Sequence, residues 1–141
     1  MSTRTVTLRL PEGLYIRLQQ AAQATHHSLD DVLLRAVQVG SPPRWDDAPA
    51  EFQSDLATLD RLDDEGLWSI ARSRKTERDM QRYQELLDKN ANDVLSVDER
   101  DELLRLRVEF DRFMLRKAHA AALLRWRGHR VPPAEALQGA E

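Results

Sequence analysis

The spacing of apolar residues changes twice within the first forty positions. Over residues 4–10, apolar and polar residues alternate, which is typical of a β-strand with one apolar face. Pro11 should end this strand, because proline has no amide hydrogen for a strand ladder. Beyond it, apolar residues recur at helical spacing in two runs, beginning near Leu14 and, after a break, at Ser28. The sequence therefore predicts a strand followed by two helices.

The second of these helices carries recognisable signals at both ends. Ser28 is followed three residues later by Asp31, a spacing typical of a helix start that resembles a capping box. Gly40 is well placed to end the helix. The following segment, SPPRWDDAP, is rich in proline and aspartate and is expected to be a linker.

A lone strand poses a problem for the N-terminal forty residues. Its backbone donors and acceptors would be unpaired, and so short a unit buries little apolar surface. We therefore expect the strand to pair antiparallel with the same strand of a second copy across a two-fold axis. Four helices would then cover the apolar face of the ribbon, and the protein would be a homodimer.

Residues 4–40 resemble the Arc/MetJ-like ribbon-helix-helix family of DNA-binding proteins, which includes many antitoxins. The resemblance rests on the run TVTLRLP, the helix-breaking spacing before HHS and the apolar run LDDVLLRAV, with no gap between Pro11 and Ser28. The family often carries glycine where His26 stands, at the left-handed end of the first helix, and histidine tolerates this conformation better than most residues. The C-terminal runs RYQELLDKN and FDRFMLRKAHAAALLRWRGH resemble uncharacterised bacterial proteins, which implies no activity.

The family resemblance implies a set of DNA-binding residues. In such a dimer the polar face of the ribbon enters the major groove, so Thr5, Thr7 and Arg9 would contact base edges. The start of the second helix, at Ser28 and Leu29, would bind phosphate through its free amides and helix dipole. The alternative is that the threonines and the arginine form only the solvated side of an amphipathic strand.

Two neighbouring features complicate the expected phosphate site. Asp30 and Asp31 suit the helix dipole, yet they would stand close to phosphates and repel them. His26 and His27 could offset this repulsion if they were protonated on DNA. A metal site at this histidine pair is not expected, because no cysteine or third histidine lies nearby in the sequence.

The remainder of the chain is predicted to be helical. A short helix capped by Asp63 spans 62–73, a second helix runs from Thr76 to about Lys89, and a long helix spans about 97–127 after a capping box at Ser96. The two longer helices are expected to form an antiparallel hairpin over part of their length. A heptad-like apolar seam, typical of a coiled coil, marks the long helix at Leu103, Leu106, Phe110, Phe113, Lys117, Ala120 and Leu124.

These patterns divide the chain into four parts. Residues 1–40 form the dimerisation and DNA-binding domain, and 41–54 form an acidic, proline-containing linker. Residues 55–130 form a helical, partner-binding region, and 131–141 form a flexible tail. The expected fold class is mainly α, with one short strand at the N-terminus.

Charge is distributed unevenly along a chain whose formal net charge is −3. Residues 46–65 contain eight acidic residues and one arginine, whereas 112–130 contain six basic residues and no acid. The acidic part carries aromatic and leucine side chains suited to a protein interface, at Trp45, Phe52, Leu56, Leu59 and Trp68. These residues either bind a basic partner, as in many antitoxins, or pack onto the chain's own basic helix. That helix in turn either contacts nucleic acid phosphates or is structural.

The composition also limits the classes of function. The chain has no cysteine, residues 1–10 lack the apolar core of a signal peptide, and the most apolar later run is too short to span a bilayer, so we expect a cytoplasmic, soluble protein. No glycine-rich phosphate loop or catalytic motif occurs. His119 and His129 lack an obvious paired carboxylate and nucleophile. We expect no catalysis, no cofactor and no metal.

The sequence thus favours a homodimeric DNA-binding regulator. It would act as the antitoxin and autorepressor of a bacterial toxin–antitoxin pair, binding its own promoter region and a toxin or similar protein partner. The alternative is a non-catalytic scaffold subunit of a larger complex, which uses the N-terminal domain only for dimerisation.

Overall fold

The computed structural model describes residues 2–133, and these residues form six α-helices and no β-strand. The mainly helical character that the sequence predicts is confirmed. The chain divides into two compact units, Met1–Ser41 and Pro42–Glu141, each described by itself below. The helices are α1 (Glu12–Thr25), α2 (Leu29–Val39), α3 (Ala50–Leu59), α4 (Asp64–Arg72), α5 (Glu77–Ala91) and α6 (Val97–Trp126).

The predicted strand at residues 4–10 is wrong, because residues 2–10 have no regular secondary structure. A strand is held by hydrogen bonds to a neighbouring strand, and residues 2–133 contain no strand that could supply them. Val6 and Leu8 are 85% and 73% exposed, so the alternation of apolar and polar residues defines no buried face. The N-terminal unit is therefore an irregular segment followed by two helices, and not a ribbon-helix-helix fold with a strand.

The two helices of the N-terminal unit lie where the sequence predicts them. Helix α1 ends at His26, which adopts the left-handed conformation with φ 58° and ψ 35°. The hydroxyl of Ser28 then accepts a hydrogen bond of 3.0 Å from the amide of Asp31, which caps α2. Helices α1 and α2 pack against each other, and Ala22 is the one buried residue among residues 2–41.

The core of the C-terminal unit lies where α3 and α4 pack on the second half of α6. Because apolar side chains recur at helical spacing on each of these helices, the three helices present apolar faces to one another. Trp45, Leu62, Trp68 and Leu115 pack around the edge of this core. Its buried members are Phe52, Leu56, Leu59, Leu67, Ala71, Ala120, Leu123 and Leu124.

Helices α5 and α6 run antiparallel. Lys89, in the last turn of α5, pairs with Glu99 in the first turn of α6, whereas Lys75, just before α5, lies over Phe113 in the middle of α6. The capping box expected at Ser96 is present, with both of its reciprocal hydrogen bonds. Every position of the predicted apolar seam of α6 is buried or half-buried.

The predicted linker and the predicted C-terminal tail have boundaries that differ from the described structure or extend beyond it. Helix α3 begins at Ala50, so the expected linker over 41–54 is too long and contains the first turn of a helix that the sequence analysis missed. Of the expected tail at 131–141, residues 134–141 lie outside the described part of the chain.

Candidate nucleic-acid and partner interfaces

The three side chains expected to contact bases lie on the irregular N-terminal segment. Thr5, Thr7 and Arg9 are all exposed, and so are the apolar residues between them. The hydroxyls and the guanidinium can donate hydrogen bonds to base edges or phosphates. The segment itself does not hold these three groups on one face of a regular element.

The start of α2 is partly occupied by its own cap. Of the amides in the first turn, that of Asp31 already donates to the Ser28 hydroxyl, so it is not available to a phosphate. Leu29 is half-buried, whereas Asp30 and Asp31 are exposed in the first turn. The two carboxylates stabilise the free helix through its dipole and oppose the approach of an anion.

The N-terminal unit leaves several large apolar side chains exposed. Because Ala22 alone is buried among residues 2–41, the unit contains almost no core of its own. Helix α2 is amphipathic, yet much of its apolar side faces solvent in the single chain. The exposed large apolar residues of the unit, called the N-terminal apolar surface below, are Val6, Leu8, Leu14, Tyr15, Ile16, Leu34, Val37 and Val39.

The residues predicted to bind a protein partner lie in or around the core of the C-terminal unit. Phe52, Leu56 and Leu59 are buried there, and Trp45 and Trp68 are half-buried against them. The sequence leaves two alternatives for these side chains, and the structure shows that they pack onto the chain's own basic helix. Binding a partner through them would require α3 to leave α6.

Polar and charged contacts join the acidic segment to the second half of α6 and to the residues that follow it. Arg116 pairs with Asp55, and His119 Nε2 lies 2.8 Å from Asp60 Oδ1. Asp64 contacts two residues: its Oδ1 lies 2.9 Å from Arg127 Nη1, and its Oδ2 lies 2.6 Å from His129 Nε2. Both histidines thus have a carboxylate partner, which the sequence analysis missed because the pairs are separated by about sixty residues.

The electrostatics of Asp64 follow from these contacts. Hydrogen bonds from Arg127 and then from His129 lower the pKa of the Asp64 carboxyl below its ordinary value. Asp64 lies in the first turn of α4, which itself favours a negative charge. The carboxylate therefore ties the start of α4 to the residues that follow α6.

Most of the basic residues predicted to be candidates for nucleic acid binding have partners inside the unit. Arg116 and Arg127 form the ion pairs above, Lys117 is buried, and the guanidinium of Arg112 lies 5.7 Å from the ring centroid of Phe52. Arg125 and Arg130 are exposed. The structural interpretation of the basic helix is the one that these contacts support.

A second charged network joins α5 to the first half of α6. Arg82 donates two hydrogen bonds of 2.8 Å to the carboxylate of Glu102 and one of 3.0 Å to Glu85. The pair raises the pKa of Arg82 and lowers that of Glu102. This bidentate geometry holds the hairpin in register.

Two further observations bear on the class of the protein. None of the helices among residues 2–133 combines the length and apolar character needed to cross a membrane. Comparisons of the chain with family models, with curated proteins and with solved structures found no match.

Proposed function

We propose that the chain is a homodimeric, DNA-binding regulator of the antitoxin class, whose helical C-terminal unit binds a protein partner. In this proposal it acts in the cytoplasm, without catalytic activity or cofactor. The observation that carries the proposal is the N-terminal apolar surface, since a unit with a single buried residue needs a second surface to complete its core. A second copy of the same surface is the simplest such partner, because two-fold contacts use one patch twice.

DNA binding is supported by the groups that the N-terminal unit leaves exposed. Thr5, Thr7 and Arg9 face solvent next to the N-terminal apolar surface, so dimerisation would bring two sets of them together. Arginine is the residue best suited to a bidentate contact with guanine.

One observation favours a second candidate function. Asp30 and Asp31 are exposed at the start of α2, and the Ser28 hydroxyl occupies an amide that a phosphate would use. If the N-terminal unit serves only for dimerisation, these carboxylates cause no unfavourable repulsion, because no phosphate approaches them. The second candidate is therefore a non-catalytic scaffold subunit of a larger complex.

DNA binding by the purified full-length chain distinguishes the two candidates. Fluorescence anisotropy should show tighter binding to the gene's own upstream region than to a random duplex of equal length. Arg9→Ala should reduce that preference, because one bidentate contact discriminates by about 1–3 kcal/mol and a dimer has two such contacts. If the dimeric protein binds both duplexes equally at low and high salt, the proposed DNA-binding regulator is wrong and the scaffold subunit is the better assignment.

A further inference from the structure

A groove of about 820 Å³ opens between the start of α5 and the middle of α6, within the C-terminal unit. Its walls come from the residues just before α5, from the first two turns of α5 and from one face of α6. Most of the lining is apolar, and charged side chains also contribute to it. The residues that matter here are Arg74, Lys75, Met80, Phe110, Phe113 and Met114.

The apolar part of the groove is adaptable and exposed. Met80 and Met114 are 54% and 56% exposed, one on each helix, and Phe110 and Phe113 line the same groove. Methionine has an unbranched, polarizable side chain, and it is common at surfaces that accept helices of varied sequence. Such a surface favours an apolar ligand that can fit between flexible side chains.

Positive charge is concentrated around the same rings. The ammonium of Lys75 lies 5.4 Å from the ring centroid of Phe110 and 5.2 Å from that of Phe113. The ammonium of Lys117 lies 5.5 Å from the centroid of Phe113, so two cations share one ring. Arg74 also lines the groove, and so does Glu77, the one carboxylate on the groove wall among the described residues.

Lys117 is the most unusual of these cations. The residue is only 8% exposed, and lysine is rarely buried without a carboxylate partner. Burial and then the charge of Arg74 lower the pKa of Lys117, and no carboxylate counteracts them. Lys117 does not itself line the groove, but its ammonium lies beside the ring of Phe113, which does.

The shape of the groove decides between two kinds of anionic ligand. A small molecule is usually enclosed over most of its surface, whereas this groove is only partly enclosed. A helix laid in an open groove buries one apolar face and keeps its polar face in water. We propose that this groove binds the apolar face of an amphipathic, acidic helix of a partner protein, with an Asp or Glu side chain of that helix against Lys75.

The inference rests on the partner-binding part of the proposed function and assigns it a surface. That surface differs from the buried residues Phe52, Leu56 and Leu59, since it needs no separation of α3 from α6. The partner would therefore bind while the core of the unit stays intact.

The experiment uses the full-length chain and a displayed library of helical peptides. Each peptide carries leucine at positions i, i+3, i+4 and i+7, with Glu, Lys or Gln randomised elsewhere. We expect selected peptides to be enriched in Glu over Lys, and the best one, synthesised with a fluorophore, to bind the protein in solution. Absence of selected binders, or enrichment without an excess of Glu, would overturn the proposal.

Matched variants locate the binding surface. Met114→Asp should weaken binding of the selected peptide at least tenfold, whereas Leu104→Asp should change it less than twofold, because Leu104 is equally exposed on α6 but lies outside the groove. Lys75→Glu should weaken binding similarly, with Arg100→Glu as its control. Equal effects within either pair would overturn the proposal. Sodium decanoate is a small anionic ligand with an apolar chain. If the protein binds decanoate at the groove but binds no peptide, the proposal is also overturned.

The DNA measurement separates this inference from the proposed function. Met114→Asp should leave DNA binding at the wild-type value, since the groove lies in the C-terminal unit. A wild-type protein that binds the acidic peptide but no DNA would contradict the regulator and leave the groove assignment standing. A wild-type protein that binds DNA but no peptide would support the regulator and contradict the groove assignment.

Discussion

Lys89 Nζ lies 2.6 Å from Glu99 Oε2, and this ion pair joins the last turn of α5 to the first turn of α6. Glu99 also accepts a hydrogen bond of 3.1 Å from the backbone amide of Ser96, as part of the capping box of α6. The hydrogen bond from Lys89, followed by that from Ser96, lowers the pKa of Glu99 to about 2. One carboxylate therefore both closes the hairpin and caps its longer helix.

Glu99→Gln should make the stability of the protein less sensitive to acid. Because the pKa of Glu99 is lower in the folded state than its ordinary value of 4.5, its charge stabilises the fold fully above pH 4.5, and this contribution is lost as the pH falls toward 2. Glutamine keeps the capping oxygen and removes the charge. The variant should unfold at a lower temperature than wild type at pH 7, and circular dichroism should show the difference shrinking between pH 4.5 and pH 2. A difference independent of pH would contradict the role of this charge.

Leu124→Ala should strongly destabilise the C-terminal unit. Leu124 is 0% exposed in the core formed with α3 and α4, and removing a buried leucine side chain typically costs about 2–5 kcal/mol. Leu104→Ala is the control, because Leu104 is 59% exposed on the same helix and should change the free energy of unfolding by about 0.5 kcal/mol or less. Urea unfolding followed by circular dichroism measures both. Similar changes in the free energy of unfolding for the two variants would contradict the assignment of Leu124 to the core.

Val37→Lys should weaken self-association of the full-length chain. Val37 is 63% exposed on α2 and belongs to the N-terminal apolar surface. Losing the burial of one valine in each copy removes about 3 kcal/mol, so the dissociation constant should rise about a hundredfold or more.

Sedimentation equilibrium checks the effect of Val37→Lys on self-association. Gln38→Lys places the same charge on the neighbouring exposed position and should leave the dimer intact. A wild-type protein that is monomeric at about 100 µM, far above the dissociation constant of a specific dimer, would contradict the proposed assembly.

Replacing Asp30 and Asp31 by asparagine should raise the affinity for all DNA duplexes alike. Each removed repulsion between a carboxylate and a phosphate is worth up to about 1 kcal/mol in water, so each substitution should increase the affinity by up to about fivefold at low salt. Added salt should reduce the gain through screening. Asp98→Asn, in the first turn of α6, is the matched control. A change for one sequence alone would assign these residues to base recognition instead.

The helix caps show what the sequence could predict. Ser28, Asp63, Thr76 and Ser96 each accept a hydrogen bond from an amide three residues away, so their signals are complete within one turn. Helix α3 lacks such a signal, since it begins after Pro49 with no side-chain cap. The apolar spacing of Phe52, Leu56 and Leu59 is visible in the sequence, but it fits both a partner-binding surface and packing onto the chain's own basic helix.

The strand and the ion pairs show what the sequence could not predict. Alternation over residues 4–10 is a local property, whereas a strand exists only with a neighbour to bind. The pairs Asp60–His119 and Asp64–His129 join residues about sixty positions apart, which only the packing of α4 on α6 brings together. The groove likewise arises from the meeting of two helices, and no single segment indicates it.

The thirty residues of α6 belong to two separate packing environments. Its first half contacts α5, and its second half contacts α3 and α4. Backbone amides of one continuous helix are thus protected from hydrogen exchange by different neighbours, and they report two opening reactions rather than one. If α5 detached, the second half of α6 would keep its core, so we expect the hairpin to open while the rest of the unit remains folded.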